Sequence, residues 1–174
     1  MRIARIAVPV AAALATAGLA LAPATSAFAS NTKTIHAHGL VEHFSDVVPC
    51  TSIPVDITTT SNAVQHFQVR TQPDGTVIAQ GTFTETGTFV AVRTDGVDVT
   101  YTGKFTTWDG FTAFNPVFDS DGNIVSADKF SESGTFHIHG VGTDGFVISE
   151  HANEHDSSNP AGNTAQHFHD SCAA

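Results

Sequence analysis

The sequence predicts an all-β protein, a single antiparallel β-barrel of about eight or nine strands with one disulfide; a β-sandwich is the alternative. Three observations predict this fold class. Apolar and polar residues alternate with period two through most of the chain, in runs rich in Val, Thr and Phe. Asp-Gly turn dipeptides separate these runs. Leucine, a favoured residue of helical cores, occurs only once after residue 29, as Leu40.

Residues 1–29 have the pattern of a secretory signal peptide. Arg2 and Arg5 precede an apolar run that ends in the small-x-small sequence Ala27-Phe28-Ala29. We therefore predict cleavage there, a secreted, extracellular protein, and one domain over residues 30–174. That domain is acidic and histidine-rich, with five Lys and Arg against 17 Asp and Glu, and with all 10 His. The negative charge argues against nucleic-acid binding, and no later segment has the length and hydropathy for membrane insertion.

The strands follow in order from the alternating runs. We predict them near residues 33–44, 53–60, 63–71, 76–92, 97–108, 111–118, 123–139, 144–152 and 164–169. The two longest runs each have a position for a bulge or break, near Gly81 and near Asp128. Five dipeptides are predicted as hairpin turns: Asp74-Gly75, Asp95-Gly96, Asp109-Gly110, Asp121-Gly122 and Asp144-Gly145. Because hairpins dominate and no strand has the pattern of a protected edge, a barrel is favoured over a sandwich.

An internal repeat assigns side chains to faces. Residues 74–89 and 121–136 are identical at seven of 16 positions, at a spacing of 47 residues. This predicts a duplicated hairpin within one domain, and convergence on common strand and turn residues is the alternative. In both copies phenylalanines alternate with Thr, Ser or Lys. The phenylalanine face is therefore predicted to point into the core.

Two cysteines remain after the predicted signal peptide, Cys50 and Cys172. In an exported protein such a pair is most simply one disulfide. A redox-active or metal-binding pair of thiols is the alternative.

Carboxylates on the phenylalanine face are the predicted binding residues. Glu85 and Glu132 occupy matching positions of the repeat, and Glu150 falls on the same side as Ile148. Burial raises the pKa of a carboxyl group, which suits it to anchor a ligand or to transfer a proton. The predicted ligand-binding set is Glu85, Glu132, Glu150, Tyr101 and Phe136. The alternative is that bulges at Gly87 and Gly134 turn the two repeat carboxylates toward solvent.

Histidines at positions i and i+2 of a strand share a face and form candidate metal ligands. The predicted metal ligands, for zinc or copper, are His36, His38, His137 and His139. His151 with His155 and His167 with His169 form further pairs. The alternative is that these are exposed polar strand residues, in which case no cofactor is predicted.

Several short sequences resemble a group of small secreted β-proteins from actinomycete-type bacteria that have no established activity. They are, in order, Val48-Pro49-Cys50, Thr86-Gly87-Thr88-Phe89, the segment 101–108, Phe136-His137-Ile138-His139-Gly140, Thr143-Asp144-Gly145 and a final cysteine. The resemblance implies secretion and a β-fold. It implies no catalytic residue.

These observations lead to three functional hypotheses. The first is a non-enzymatic secreted barrel that binds a small apolar or amphipathic ligand, or a surface partner. The second is a barrel enzyme of the type seen in allene oxide cyclases and dirigent proteins, in which a lumen carboxylate acts on an apolar substrate. The third is an extracellular metal-binding protein that uses its histidine pairs. No catalytic residue and no oligomeric state follow from the sequence.

Overall fold

The computed structural model describes residues 31–159, 161 and 163–172, so the predicted signal peptide lies outside the described residues. The described strands are β1 (Asn31–Val47), β2 (Pro54–Thr71), β3 (Val77–Arg93), β4 (Thr100–Phe114), β5 (Val117–Phe118), β6 (Ile124–Ser126), β7 (Lys129–Gly142), β8 (Val147–Ser158) and β9 (Thr164–Cys172). Seven of them form one sheet in the order β1-β2-β3-β4-β7-β8-β9, while β5 and β6 form a separate hairpin. All pairs are antiparallel, which confirms the predicted all-β class.

The two edge strands of the large sheet, β1 and β9, do not pair with each other. No closed barrel is therefore found among the described residues. A disulfide instead joins Cys50, between β1 and β2, to Cys172, the last residue of β9, with their Cα atoms 6.1 Å apart. This confirms the predicted bridge. It ties the first and last strands of the sheet together at one end, which we call the disulfide end.

Three hairpin turns have the same hydrogen-bond pattern. In the first, Gln72 N–H donates to Thr76 O (2.8 Å) and Gly75 N–H donates to Gln72 O (3.0 Å). The same two bonds recur in the segments 119–123 and 142–146. Each turn contains an Asp-Gly glycine with φ of +85° to +87°, a left-handed conformation that glycine adopts without steric cost. Gly96 also has a positive φ, so four of the five predicted Asp-Gly turns are confirmed.

The fifth predicted turn, Asp109-Gly110, is wrong, because both residues lie inside β4. Gly110 pairs with Thr82 of β3 and with Ser133 of β7. Hydrogen bonding on both sides of this central strand keeps the dipeptide extended. The same continuity joins the predicted strands 53–60 and 63–71 into the single strand β2.

Only one of the predicted bulges or breaks is found. The register of β3 runs through Gly81 and Gly87 without a shift, and that of β7 runs through Gly134. The predicted break near Asp128 is confirmed, since β6 ends at residue 126 and β7 begins at residue 129. An unpredicted bulge lies in β1 at Gly39, which has a φ of +64°.

The predicted phenylalanine face is the buried face of the sheet, and we call it the inner face. Its core lies at the disulfide end and consists of Val48, Val55, Phe89, Ala91, Val99, Tyr101 and Ile148. A second aromatic group, Phe67, Phe111, Phe118 and Phe130, lies toward the opposite end, with ring centroids 6.1–6.4 Å apart. The threonines that alternate with the phenylalanines in β3 are exposed, as the repeat predicts.

Glycines on the inner face accommodate the aromatic rings of neighbouring strands. Phe105 lies opposite Gly87, and a Cβ atom on that glycine would be 2.7 Å from the ring. Phe89 covers Gly103 in the same way, at 2.6 Å. Such contacts let an aromatic ring cover the backbone that a glycine leaves uncovered. The inner-face glycines of β3 and β4 are thus packing positions.

Two glycines of β4 provide a test of this packing. Gly103→Ala places a methyl group against the main-chain oxygen of His139 and the ring of Phe89, and we expect it to cost about 1–3 kcal/mol of unfolding free energy. Gly110→Ala is the control, because its Cβ would lie 3.0 Å from the end of the partly exposed Trp108 ring and 3.7 Å, an ordinary contact distance, from the main-chain oxygen of Gly81. Urea unfolding monitored by circular dichroism measures both. Equal unfolding midpoints for the two variants would contradict the packing role.

The disulfide closes a long loop, since its cysteines are 122 residues apart. We expect Cys50→Ser/Cys172→Ser to lower the unfolding free energy by about 4–5 kcal/mol, because cross-linking restricts the unfolded chain. Urea titration of the variant and of the oxidised parent measures the difference. An unchanged midpoint would show that the bridge does not stabilise the fold.

Candidate functional site

Strand alternation places nearly all carboxylates of the large sheet on its inner face. Of the ten in the described sheet, nine have inner-face positions: Glu42, Asp46, Glu85, Asp109, Glu132, Glu150, Glu154, Asp156 and Asp170. Asp56 is the exception, and it lies opposite Ser45 on the other face. The inner face is therefore both aromatic and acidic.

All five predicted ligand-binding residues lie on this inner face, but at different depths. Glu85 and Glu132 lie midway along β3 and β7, as the repeat predicts. Phe136 is half-buried on β7. Tyr101 is 0% exposed and belongs to the core at the disulfide end, so it supports the sheet and does not line an accessible surface. Glu150 lies beside the disulfide, opposite Cys172.

Two of the predicted carboxylates, Glu85 and Glu132, lie in a group with three further carboxylates that the sequence analysis does not single out. We call this set the central acidic cluster: Glu85, Asp109, Glu132, Glu154 and Asp156. Its members lie on the four adjacent strands β3, β4, β7 and β8. The Ser61 hydroxyl donates a 2.5 Å hydrogen bond to Glu85 Oε1. The carboxyl group of Asp109 lies over Gly134, the residue opposite it on β7.

Three members of the cluster have raised pKa values. Burial is the main cause for Asp109, and the charges of Glu154 and Glu85 raise its pKa further. Partial burial of the carboxyl group likewise raises the pKa of Glu132, together with the charges of Asp109 and Asp156. The pKa of Glu154 is raised by burial and then by Asp156 and Glu132. The carboxylates therefore form one electrostatically linked group.

No Lys or Arg forms an ion pair with this cluster in the described part of the chain. The ion pair found there joins Arg93 to Asp95, at the end of β3 and in the loop that follows it. The desolvation and mutual repulsion of the central carboxylates are therefore not offset by a basic side chain. This leaves a site whose charge favours a cationic ligand.

A second group of carboxylates lies at the disulfide end. Burial, then the neighbouring Asp170 and the charge of Asp46, raise the pKa of Glu150 to about 7. Asp46 belongs to β1, whereas Glu150 and Asp170 belong to β8 and β9. Asp170 is also within 4.8 Å of both cysteine sulfurs. Because those sulfurs form a disulfide, they provide no thiolate ligands for a metal ion.

All ten histidines lie on the opposite, outer face of the sheet: His36, His38, His43, His66, His137, His139, His151, His155, His167 and His169. The bulge at Gly39 contributes to this arrangement, because the shift in register returns His43 to the face of His36 and His38. Asn62 Oδ1 holds the bulge by accepting a 3.1 Å hydrogen bond from Gly39 N–H.

The four predicted metal ligands do not converge. His36 and His38 lie on β1 with ring centroids 6.4 Å apart, and β2, β3 and β4 separate them from His137 and His139 on β7. His137 instead stacks on His151 of β8, with ring centroids 4.1 Å apart. The two predicted i, i+2 pairs therefore lie on separate parts of the outer face, and the ring contact of His137 is with a histidine of the neighbouring strand, which i, i+2 spacing does not reveal.

A surface cavity of about 290 Å³ lies at β8 and β9. Its lining residues are Asn153, Glu154, His155, His167, Phe168 and His169. None of the predicted ligand-binding residues, and none of His36, His38, His137 and His139, is among them.

Neither protein-family models, nor curated proteins, nor solved structures give a match to this chain. The resemblance to secreted actinomycete-type proteins stays a prediction.

Glu150 predicts a specific dependence of stability on pH. Its folded-state pKa of about 7 lies above its ordinary value of 4.5, so ionisation between these two pH values destabilises the folded state. We expect Glu150→Gln to raise the thermal midpoint at pH 8 and to leave it nearly unchanged at pH 4. Glu42→Gln, on the edge strand β1, is the control. The same increase at both pH values would contradict this explanation.

Proposed function

We propose that the protein is a secreted, non-enzymatic binding protein for small amphipathic cations, and that its ligand site is the central acidic cluster with the phenylalanines around it. The observation that carries this proposal is a set of partly desolvated inner-face carboxylates with raised pKa values and no basic partner in the described chain. A cation bound there favours the ionised carboxylates, which burial and repulsion otherwise disfavour.

The aromatic residues of the inner face suit the apolar part of such a ligand. Phe83 lies directly opposite Asp109, and Phe111 lies opposite Glu132. Phe168, opposite Glu154 on β9, is 66% exposed. Aromatic faces attract ammonium and guanidinium groups as well as hydrocarbon. A ligand with an alkyl or aryl body and a cationic group matches both properties of this surface.

We further propose that the sheet curls into an open barrel with the cluster facing its interior. The disulfide between the β1–β2 connection and the end of β9 supports this shape. So does the electrostatic interaction between Asp46 of β1 and Glu150 of β8, strands at opposite sides of the sheet order. In such a shape the inner face is partly shielded from bulk water, which strengthens charge interactions there.

Two features support secretion. The structural disulfide is typical of proteins that fold in an oxidising compartment. The sequence of residues 1–29 has the pattern of an export signal.

Among the described residues, no helix has the length and apolar character to span a membrane.

A second candidate function rests on the same carboxyl groups. Asp109 and Glu132 have raised pKa values, which suits them to proton transfer. This favours the enzyme hypothesis of the allene-oxide-cyclase and dirigent type over a purely structural role. An enzyme would convert an apolar substrate chemically, and the Glu132→Gln variant would no longer do so. A binding protein would release the substrate unchanged.

The binding proposal predicts a charge preference. We expect dodecyltrimethylammonium, below its micellar concentration, to bind at pH 7.5 at least about tenfold more tightly than dodecyl sulfate or dodecyl maltoside, a difference of about 1.4 kcal/mol. Isothermal titration calorimetry measures the three affinities. Asp109→Asn/Glu132→Gln is expected to remove the preference for the cation.

The matched control is Asp98→Asn/Asp121→Asn, which removes the same number of charges from exposed loops. It is expected to keep the preference, because the effect of distant exposed charges is screened by salt. Equal affinity for the cationic and anionic detergents would overturn the proposal. So would the same loss of affinity in both double variants.

A further inference from the structure

The outer face of the last three strands of the sheet is rich in imidazole groups. Six of the ten histidines lie there: His137, His139, His151, His155, His167 and His169. Two cross-strand pairs are in direct register, His137 with His151 and His155 with His167. This face is separate from the proposed ligand site, which lies on the other side of the sheet.

His137 and His151 are the pair whose rings meet. Their centroids are 4.1 Å apart, and the ring planes differ by 29°. A metal ion with nitrogen ligands at about 2.0–2.1 Å needs two ligand atoms about 3 Å apart. Small side-chain rotations of facing rings on paired strands provide that separation. The paired strands already fix the positions of the two Cα atoms. Chelation therefore restricts only the side-chain torsions of the two histidines, which keeps its entropic cost low.

The surroundings distinguish this pair from the other histidines of the face. His139 lies opposite Lys104, whose positive charge disfavours a bound cation. Nδ1 of His155 is 2.8 Å from the Ser133 hydroxyl, so a hydrogen bond already engages one of its ring nitrogens. The register neighbours of the His137–His151 pair are the uncharged Thr106 of β4 and Ser171 of β9. Within the described chain, no hydrogen bond engages the ring nitrogens of this pair.

We propose that His137 and His151 chelate a divalent first-row transition-metal ion on the outer face, with water completing the coordination. Imidazole nitrogen suits copper, nickel and zinc, and the Irving–Williams order makes Cu²⁺ the tightest of the three. The site is independent of the inner-face ligand site, so either one can fail without the other.

Isothermal titration calorimetry with CuCl₂ at pH 7.5 tests the proposal. The protein is purified without a polyhistidine tag. We expect one high-affinity Cu²⁺ per chain and weaker Zn²⁺ binding at the same site. His137→Gln or His151→Gln should each weaken Cu²⁺ binding at least about tenfold, because loss of even an outer-shell partner of a metal ligand costs about 10–100-fold. Binding should also weaken as the pH falls, because protonated imidazole does not coordinate.

The double variant His137→Gln/His151→Gln separates chelation from general surface binding. If both rings hold one ion, it should bind little more weakly than either single variant. His36→Gln/His38→Gln is the matched control and should keep the high-affinity site. Electron paramagnetic resonance of the Cu²⁺ complex should show two imidazole nitrogens in the parent and one in each single variant. Circular dichroism checks that each variant is folded.

Three results would overturn the proposal. One is the absence of a high-affinity Cu²⁺ site in the parent protein. Another is an unchanged affinity in both single variants. The third is a selective loss of binding in His155→Gln/His167→Gln, which would place the ion at the neighbouring pair beside the surface cavity.

Discussion

A continuous antiparallel register runs from β2 through β8 of the large sheet, and the chemistry of both faces depends on it. The β2–β3, β3–β4, β4–β7 and β7–β8 ladders contain no bulge, so side chains alternate strictly between the faces of four neighbouring pairs. A slip of one residue would exchange the faces of every residue in the strand that moved. The close fit of Phe105 against Gly87 and of Phe89 against Gly103 opposes such a slip, because in any other register each ring would meet a different residue.

This register produces two chemically different surfaces. Carboxylates lie on the inner face between two groups of aromatic side chains, where burial and mutual repulsion raise several of their pKa values. Histidines lie on the outer face, where two pairs of them are in direct register across neighbouring strands. The sheet therefore offers a cation-attracting apolar surface on one side and imidazole ligands on the other. Each surface is tested by substitutions that leave the other in place.

Local sequence patterns correctly predict on which face of the sheet each candidate residue lies. The cluster residues that the sequence analysis does not predict depend on pairing between strands. The repeat assigns Glu85 and Glu132 to the phenylalanine face because alternation is a property of each strand by itself. Asp109 falls on that face by the same alternation, two residues before Phe111. It was missed because Asp-Gly is typical of turns, and no local signal indicates that strands pair on both sides of this dipeptide.

The strand period, four of the five predicted Asp-Gly turns and the disulfide follow correctly from the sequence alone. These depend on short-range steric preferences or, for the cysteines, on there being only two. Which strands are neighbours is a property of the folded sheet, and so are the interaction of Asp109, Glu132 and Glu154 and the stacking of His137 on His151. Spacing of i, i+2 within one strand places side chains on a common face, whereas the distance between groups on different strands depends on strand order and register. Residues far apart in the chain establish both.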